Sequence, residues 1–338
     1  MNFLLIGATG FIGSYVSEQL LELGYDVTVF HRGATKLRSG VKEILGDRNN
    51  LEAHTNALRG AHVVIDFVLS NERQARELVR VFQGFADRIV ALSSGDVYRA
   101  CGILHGFESG PLQPLPLTED SALRTKHNVY GSEDLARLRS VFSWIGDEYD
   151  KIPVEATIMN AGDLRGTVLR LPMVYGPGDP LHRLFPYLKR MDDHRPAILL
   201  QDDVARWRGP RGYVENVAAA ITLAATAQSA AGRIYNVGES EALSEADWVR
   251  AIADEVHWQG QISERPAASL PAHLRLPYRS EQHWVVSSAR IRSELGFQEP
   301  VDFRTGLART LAWERANPPQ YVPGQFDYSA EDAALVSG

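Results

Sequence analysis

A doubly wound parallel α/β sheet followed by a smaller carboxy-terminal domain is the fold class that this sequence predicts. Three observations carry that prediction. Short apolar runs alternate with amphipathic stretches through residue 176, the order that lays parallel strands beneath covering helices. A glycine-rich turn, Gly7-Ala8-Thr9-Gly10-Phe11-Ile12-Gly13, joins the first apolar run to the first amphipathic one. Beyond residue 172 the alternation becomes less regular, which marks the start of a second unit.

The elements follow in chain order. "NFLLIG" (2–7) reads as the first strand. "FIGSYVSEQLLELG" (11–24) reads as a helix, because Ile12, Val16 and Leu20 stand four apart and Gly24 is a stop signal. "YDVTVF" (25–30), "AHVVIDFVLS" (61–70), "RIVALSS" (88–94) and "GTVLRLPMVYG" (166–176) read as further strands. "VENVAAAITLAATAQ" (214–228) is a very apolar helix, and "GRIYNVG" (232–238) one more strand. The loop "HGFESGPLQPLPLTEDS" (105–121) is rich in proline and glycine, which suits a surface crossing near a site. These readings place a first domain over 1–172, with returns near 212–238, a second over 173–315, and an extended tail over 316–338.

Composition narrows the function classes. With 338 residues, 44% hydrophobic and 23% charged, the chain can bury one large core or two coupled ones. A formal net charge of −7 argues against a general nucleic-acid binder, which needs a basic surface. One cysteine, Cys101, excludes an intramolecular disulfide and a cysteine-rich zinc site, and no metal site is expected. No apolar run approaches the roughly 20 residues that span a bilayer, so a cytoplasmic protein is expected.

The glycine turn is the strongest local motif. Between a strand and a helix, such glycines allow a tight turn, close backbone approach to a pyrophosphate, and close packing of helix on strand. A dinucleotide cofactor is therefore expected here. Its identity is read at the end of the second strand, where NAD enzymes place an acid for the ribose 2′-hydroxyl and NADP enzymes an arginine for the 2′-phosphate. This chain has His31-Arg32-Gly33. Arg32 favours NADP, with NAD left open.

Several segments in order carry a resemblance: G-x-x-G-x-x-G at 7–13, "ALSSGDVYR" (91–99), "PLTED" (116–120), "VLRLPMVYGPGD" (168–179), "RGYVENVA" (211–218) and "YNVGE" (235–239). Together they resemble the extended short-chain dehydrogenase/reductase superfamily, in its NAD-dependent epimerase/dehydratase family, over roughly residues 1–315. The resemblance implies a Rossmann-like cofactor domain and a small domain that closes over the substrate. It also implies a serine or threonine near the end of the "RIVALSS" strand and a tyrosine–lysine pair spaced Y-x-x-x-K, the tyrosine moving a proton and the lysine holding the nicotinamide ribose.

Carried over residue by residue, Ser94 takes the serine position, and Lys151 the lysine position with Glu155 four residues on. A solvent-exposed lysine paired with Glu155 is the plainer alternative. The position four before Lys151 is Asp147, not tyrosine, and a carboxylate of ordinary pKa is a poor proton donor at neutral pH. "NVYGSED" (128–134) resembles the tyrosine half of the motif. The motif thus reads as split, with Tyr130 as the proton carrier, its phenol acidified by a nearby ammonium, and about twenty residues inserted before Lys151. Tyr149, two residues from Lys151, reads as an ordinary helix-face residue.

The remaining cofactor positions are Gly7, Thr9, Gly10, Phe11, Ile12 and Gly13, with Asp47 near the adenine edge and Phe67 and Leu69 on the strand-like run "AHVVIDFVLS". Tyr175, Arg206, Arg211 and Tyr213 fall where the family meets its substrate, and arginines beside aromatics suit a phosphorylated, carboxylated or nucleotide-sugar ligand. Two readings result: an NADP-dependent oxidoreductase or epimerase acting on a secondary alcohol or ketone, or an NADP-binding sensor, scaffold or RNA-associated protein with a degraded catalytic pair. A homodimer is left open.

Overall fold

The computed structural model describes residues 1–321 and 324–336. Its strands, in chain order, are β1 (Asn2–Ile6), β2 (Asp26–His31), β3 (Lys42–Leu45), β4 (Val63–Asp66), β5 (Arg88–Ser94), β6 (Arg165–Leu171), β7 (Met173–Tyr175), β8 (Ala197–Gln201), β9 (Arg211–Tyr213), β10 (Arg233–Asn236) and β11 (Gln261–Arg265). Seven of them form one sheet in the order β10-β6-β5-β4-β1-β2-β3, and every pairing in it is parallel. Strand order reverses beside β1, the switch point at which such sheets open a crevice for ligands.

Two apolar layers sandwich this sheet. Along β1, Phe3 and Leu5 face one core with Val16, Leu20 and Ile221, while Leu4 and Ile6 face the other with Leu78, Val154 and Ile158. The period of two along a strand sends neighbours to opposite faces. Helices Phe11–Glu22 and Val214–Thr226 supply the first layer, and Glu72–Phe82 and Lys151–Met159 the second. The first core runs without a break into the carboxy-terminal part, through Tyr175, Tyr213, Trp248 and Leu311.

Two expectations change. "GTVLRLPMVYG" is not one strand: Pro172, which has no N–H to give a ladder, separates β6 from β7, and β7 leaves the sheet to pair in parallel with β9. The tail is not extended throughout. Residues Tyr328–Val336 form a helix whose Glu331 carboxylate is buried against the Arg190 guanidinium at 2.5 Å, with His273 at 3.0 Å from the same group. The tail looked extended in sequence because the partners of Glu331 lie more than fifty residues away. Among the described residues, no helix is long and apolar enough to cross a membrane.

Candidate active site

The glycine turn has the geometry its spacing predicts. Gly7 takes φ +73°, and a Cβ there would come within 2.6 Å of Val68. A Cβ on Gly13 would meet the Ala8 backbone at 2.4 Å. Gly10, extended, caps the helix Phe11–Glu22, whose first-turn N–H groups have no partner within the helix. A groove of about 660 Å³ opens there, bordered by Gly7, Thr9, Gly10, Arg32, Asp47, Val68 and Trp144. Its size, its glycine floor and its helix amino terminus fit a dinucleotide.

Not every expected cofactor residue faces that groove. Phe11 and Ile12 are partly buried against the first core and do not border the groove. Phe67 packs on the first core and Leu69 is fully buried in the second, while Val68 between them faces the groove. Asp47 borders the groove, but its carboxylate accepts from Asn49 N at 2.9 Å and caps a short 3-10 helix. Arg32 is exposed at the rim and donates to Ser143 Oγ across the opening at 3.2 Å. Arg48 is consumed structurally: it is buried against Asp66, at 2.9 Å, and Glu77.

Lys151 is the first residue of its helix, capped by Asp150, and it is 3% exposed. Its ammonium donates to Leu92 O at 3.0 Å and to Leu69 O, at the ends of β5 and β4, and faces the rings of Trp144 (5.1 Å) and Tyr149 (5.6 Å). Burial pushes its pKa down to about 8 against the opposing pull of Asp96. Glu155 is not its partner: that carboxylate is buried with Arg170 at 2.7 Å and accepts from Ser93 Oγ.

Tyr130 reaches the same place. Its hydroxyl donates to Asp96 Oδ2 at 2.8 Å, and Asp96 N donates to Ser94 Oγ at 3.2 Å. The rings of Tyr130 and Tyr149 meet edge to face at 5.6 Å. Ser94, Asp96, Tyr130, Tyr149 and Lys151 thus form one connected cluster over the ends of β4 and β5. The expected acidified phenol is not found: burial, with Asp96 adding to it, pushes the Tyr130 pKa well up. Asp96 is itself buried, its pKa is raised by that burial, and its Oδ1 has no partner among the described residues.

Two further readings are corrected. Tyr149 is not on a helix face, because the helix starts at Lys151; in the preceding turn the helical period does not apply, and the ring lies beside the ammonium. Asp147 points away, its side chain 90% exposed beside Arg139. Sequence reading missed Asp96, although it lies two residues past Ser94, and it missed Trp144 inside the insertion.

Of the expected substrate residues, Tyr175 and Tyr213 are core. β7 and β9 bury both, and their hydroxyls donate to Glu239 and Glu215 at 2.9 Å. Arg211 is buried on Trp248 and donates to Glu245 at 2.6 Å, leaving Nη1 without a partner among the described residues. Arg206 alone is open, on the rim of a separate pocket of about 860 Å³ shared with Arg208, Arg250, Arg292 and His283. The segment after His283 turns inward, and the Trp284 ring lies on Gly95, beside Ser94, where a Cβ would come within 2.7 Å of it.

This is a doubly wound fold with a glycine-floored groove near its switch point and Ser94, Tyr130 and Lys151 gathered past the ends of β4 and β5. A profile of NAD(P)H-binding domains matches residues 7–110, and one of the NAD dependent epimerase/dehydratase family matches residues 150–238. Over those two segments the chain is similar to NAD(P)H-binding domains and to the NAD dependent epimerase/dehydratase family. A dTDP-glucose 4,6-dehydratase of Streptomyces griseus is 27% identical over 203 residues, 59% of this chain; the chain spans 57% of that relative's length. A UDP-N-acetyl-alpha-D-glucosaminuronate decarboxylase of Bacillus cytotoxicus is 22% identical over 92% of this chain and 97% of its own. The solved dTDP-glucose 4,6-dehydratase of Bacillus anthracis, in complex with NAD, shares the fold at TM-score 0.67 and 16% identity, over 94% of this chain and 97% of that one.

Proposed function

We propose that this protein is a nicotinamide-dependent oxidoreductase or epimerase acting on a secondary alcohol or ketone of a nucleotide sugar, with NADP preferred over NAD. The observation that carries this reading is the convergence of Ser94, the Asp96–Tyr130 pair and Lys151 beside the glycine-floored groove. The relatives named above act on nucleotide sugars, which supports the substrate class. The preference for NADP rests on Arg32 at a rim whose β2 turn offers no carboxylate.

Gly7, Thr9, Gly10 and the first turn of the helix Phe11–Glu22 would hold the pyrophosphate, and Lys151 the nicotinamide ribose. Bound there, the cofactor supplies a hydride donor or acceptor. Ser94 would hydrogen-bond the reacting oxygen, and the proton of that oxygen would be exchanged with the Tyr130–Asp96 pair. Burial raises the pKa of both members, which keeps the Tyr130 proton in place at neutral pH and makes that phenol a weaker acid than a free one. The arginine-rimmed 860 Å³ pocket, one residue along from Trp284, would take the phosphorylated end of the substrate.

One observation favours a second reading, an NADP-binding module without turnover: the family's tyrosine position is occupied by Asp147, turned to solvent. Turnover assays with UDP- and dTDP-sugars in the presence of NADP or NAD separate the two. Tyr130→Phe is expected to cut turnover by roughly 10²–10⁴ with cofactor affinity retained. Cofactor binding with no turnover on any such sugar would leave the module reading standing instead.

A further inference from the structure

The insertion between the two halves of the split motif forms a wall of the cofactor groove. Residues Ser143 to Glu148 border it, opposite the glycine turn. The segment is pinned along its length: Ser143 accepts from Arg32 at the β2 end, Gly146 N donates to Ser70 Oγ at 3.0 Å, and Asp150 N donates to Ser70 O at 3.1 Å. Gly146 also passes close to Asn71, whose Nδ2 would lie 3.2 Å from a Cβ there.

Trp144 is the aromatic side chain this wall contributes. Phe30 also borders the groove but is 1% exposed beneath Gly46, so its face is not free. Trp144 is half-buried, backed by Phe142 and Tyr149, and it faces the Lys151 ammonium at 5.1 Å. A cation under one part of an indole fixes the ring's orientation, and a flat heterocycle gains most by offset packing on such a ring.

We propose that the inserted segment closes the cofactor groove and that Trp144 packs its indole on the nicotinamide half of the bound dinucleotide. This rests on the reading of the groove as a cofactor site and of Lys151 as its ribose contact. It assigns a binding role to residues that the family's spaced tyrosine–lysine motif does not contain.

The six tryptophans, labelled as 5-fluorotryptophan, give a ¹⁹F spectrum in which the Trp144 resonance is identified by its loss in Trp144→Phe. Adding NADP⁺ to the full-length protein is expected to shift that resonance. NADPH affinity should fall roughly three- to tenfold in Trp144→Ala and stay within about twofold in Trp144→Phe. If NADPH binds while the Trp144 resonance stays in place and Trp144→Ala binds as the wild type does, the stacking proposal is overturned and the cofactor site stands. If neither NADPH nor NADH binds the wild type, the cofactor reading falls and the proposal with it.

Discussion

Lys151 offers a test of the cluster that needs no substrate. Its ammonium is 3% exposed and its pKa is pushed down to about 8 from 10.5, with burial the dominant cause. A lysine whose folded pKa lies below its unfolded value costs stability while protonated, and that cost is relieved as pH rises from the folded toward the unfolded pKa. Below about pH 8 the folded state carries the full penalty, on the order of 3 kcal/mol at about 1.4 kcal/mol per pH unit. Between about pH 6.5 and 9.5, integrating the two titrations returns roughly 2 kcal/mol of it. Lys151→Met keeps the apolar stem and removes the titrating group. The substitution also orphans the Leu69 and Leu92 carbonyls, which shifts the variant's stability by an amount that does not change with pH. The discriminating quantity is therefore the slope. In urea unfolding of both proteins, wild type should gain about 2 kcal/mol on the variant between the two pH values. A difference that stays constant across the window, or that runs the other way, would refute a buried, acidified Lys151.

Arg32→Asp should move cofactor preference from NADP toward NAD by about 1–3 kcal/mol, the scale of a charge-assisted contact; wild type binding NAD more tightly in a fluorescence titration would end the NADP assignment. Glu331→Ala leaves the buried Arg190 guanidinium without its carboxylate, a loss of about 3–5 kcal/mol concentrated on the terminal helix. Faster proteolysis between residues 317 and 327, with the core's amide exchange unchanged, is the expected sign, and equal protease resistance would contradict the docking.

The sheet was legible because its signals are local. Apolar runs between turn residues mark β1, β2, β4 and β5, and a glycine triplet marks the turn after β1 whatever the rest of the chain does. The places of Ser94, at a strand end, and of Lys151, at a helix start, were legible for a related reason, since each follows from local signals. Tyr175, Tyr213 and Arg211 misled because an aromatic or an arginine in a substrate-like segment has the same letter whether it faces a cleft or a core. The pairing of β7 with β9, which the sequence does not display, decides the matter by burying all three. The tail misled in the opposite direction: Glu331 looks like a solvated charge until Arg190 and His273 come to it from distant elements.

The split motif holds both lessons at once. Helical spacing would carry a tyrosine and a lysine four apart to one site, but here the turn that would bear the tyrosine is not helical, so that spacing rule has nothing to act on. Tyr130 meets the cluster through Asp96 and the Tyr149 ring, and a set of longer-range ties sets it there: Asp150 caps the helix while accepting from Asn128 N at 3.0 Å and lying 2.9 Å from the His127 ring, and Arg124 Nε holds the Asp96 carbonyl at 2.6 Å. Residues 124–128 are thereby fastened to both the strand end that carries Ser94 and the helix start that carries Lys151, and Tyr130 follows two residues later. The cap aspartate does the work that the missing helical turn would have done. Two segments that resemble the halves of the family's motif are in this way tied together not by the period of one helix but by the hydrogen bonds of a buried carboxylate, Asp150.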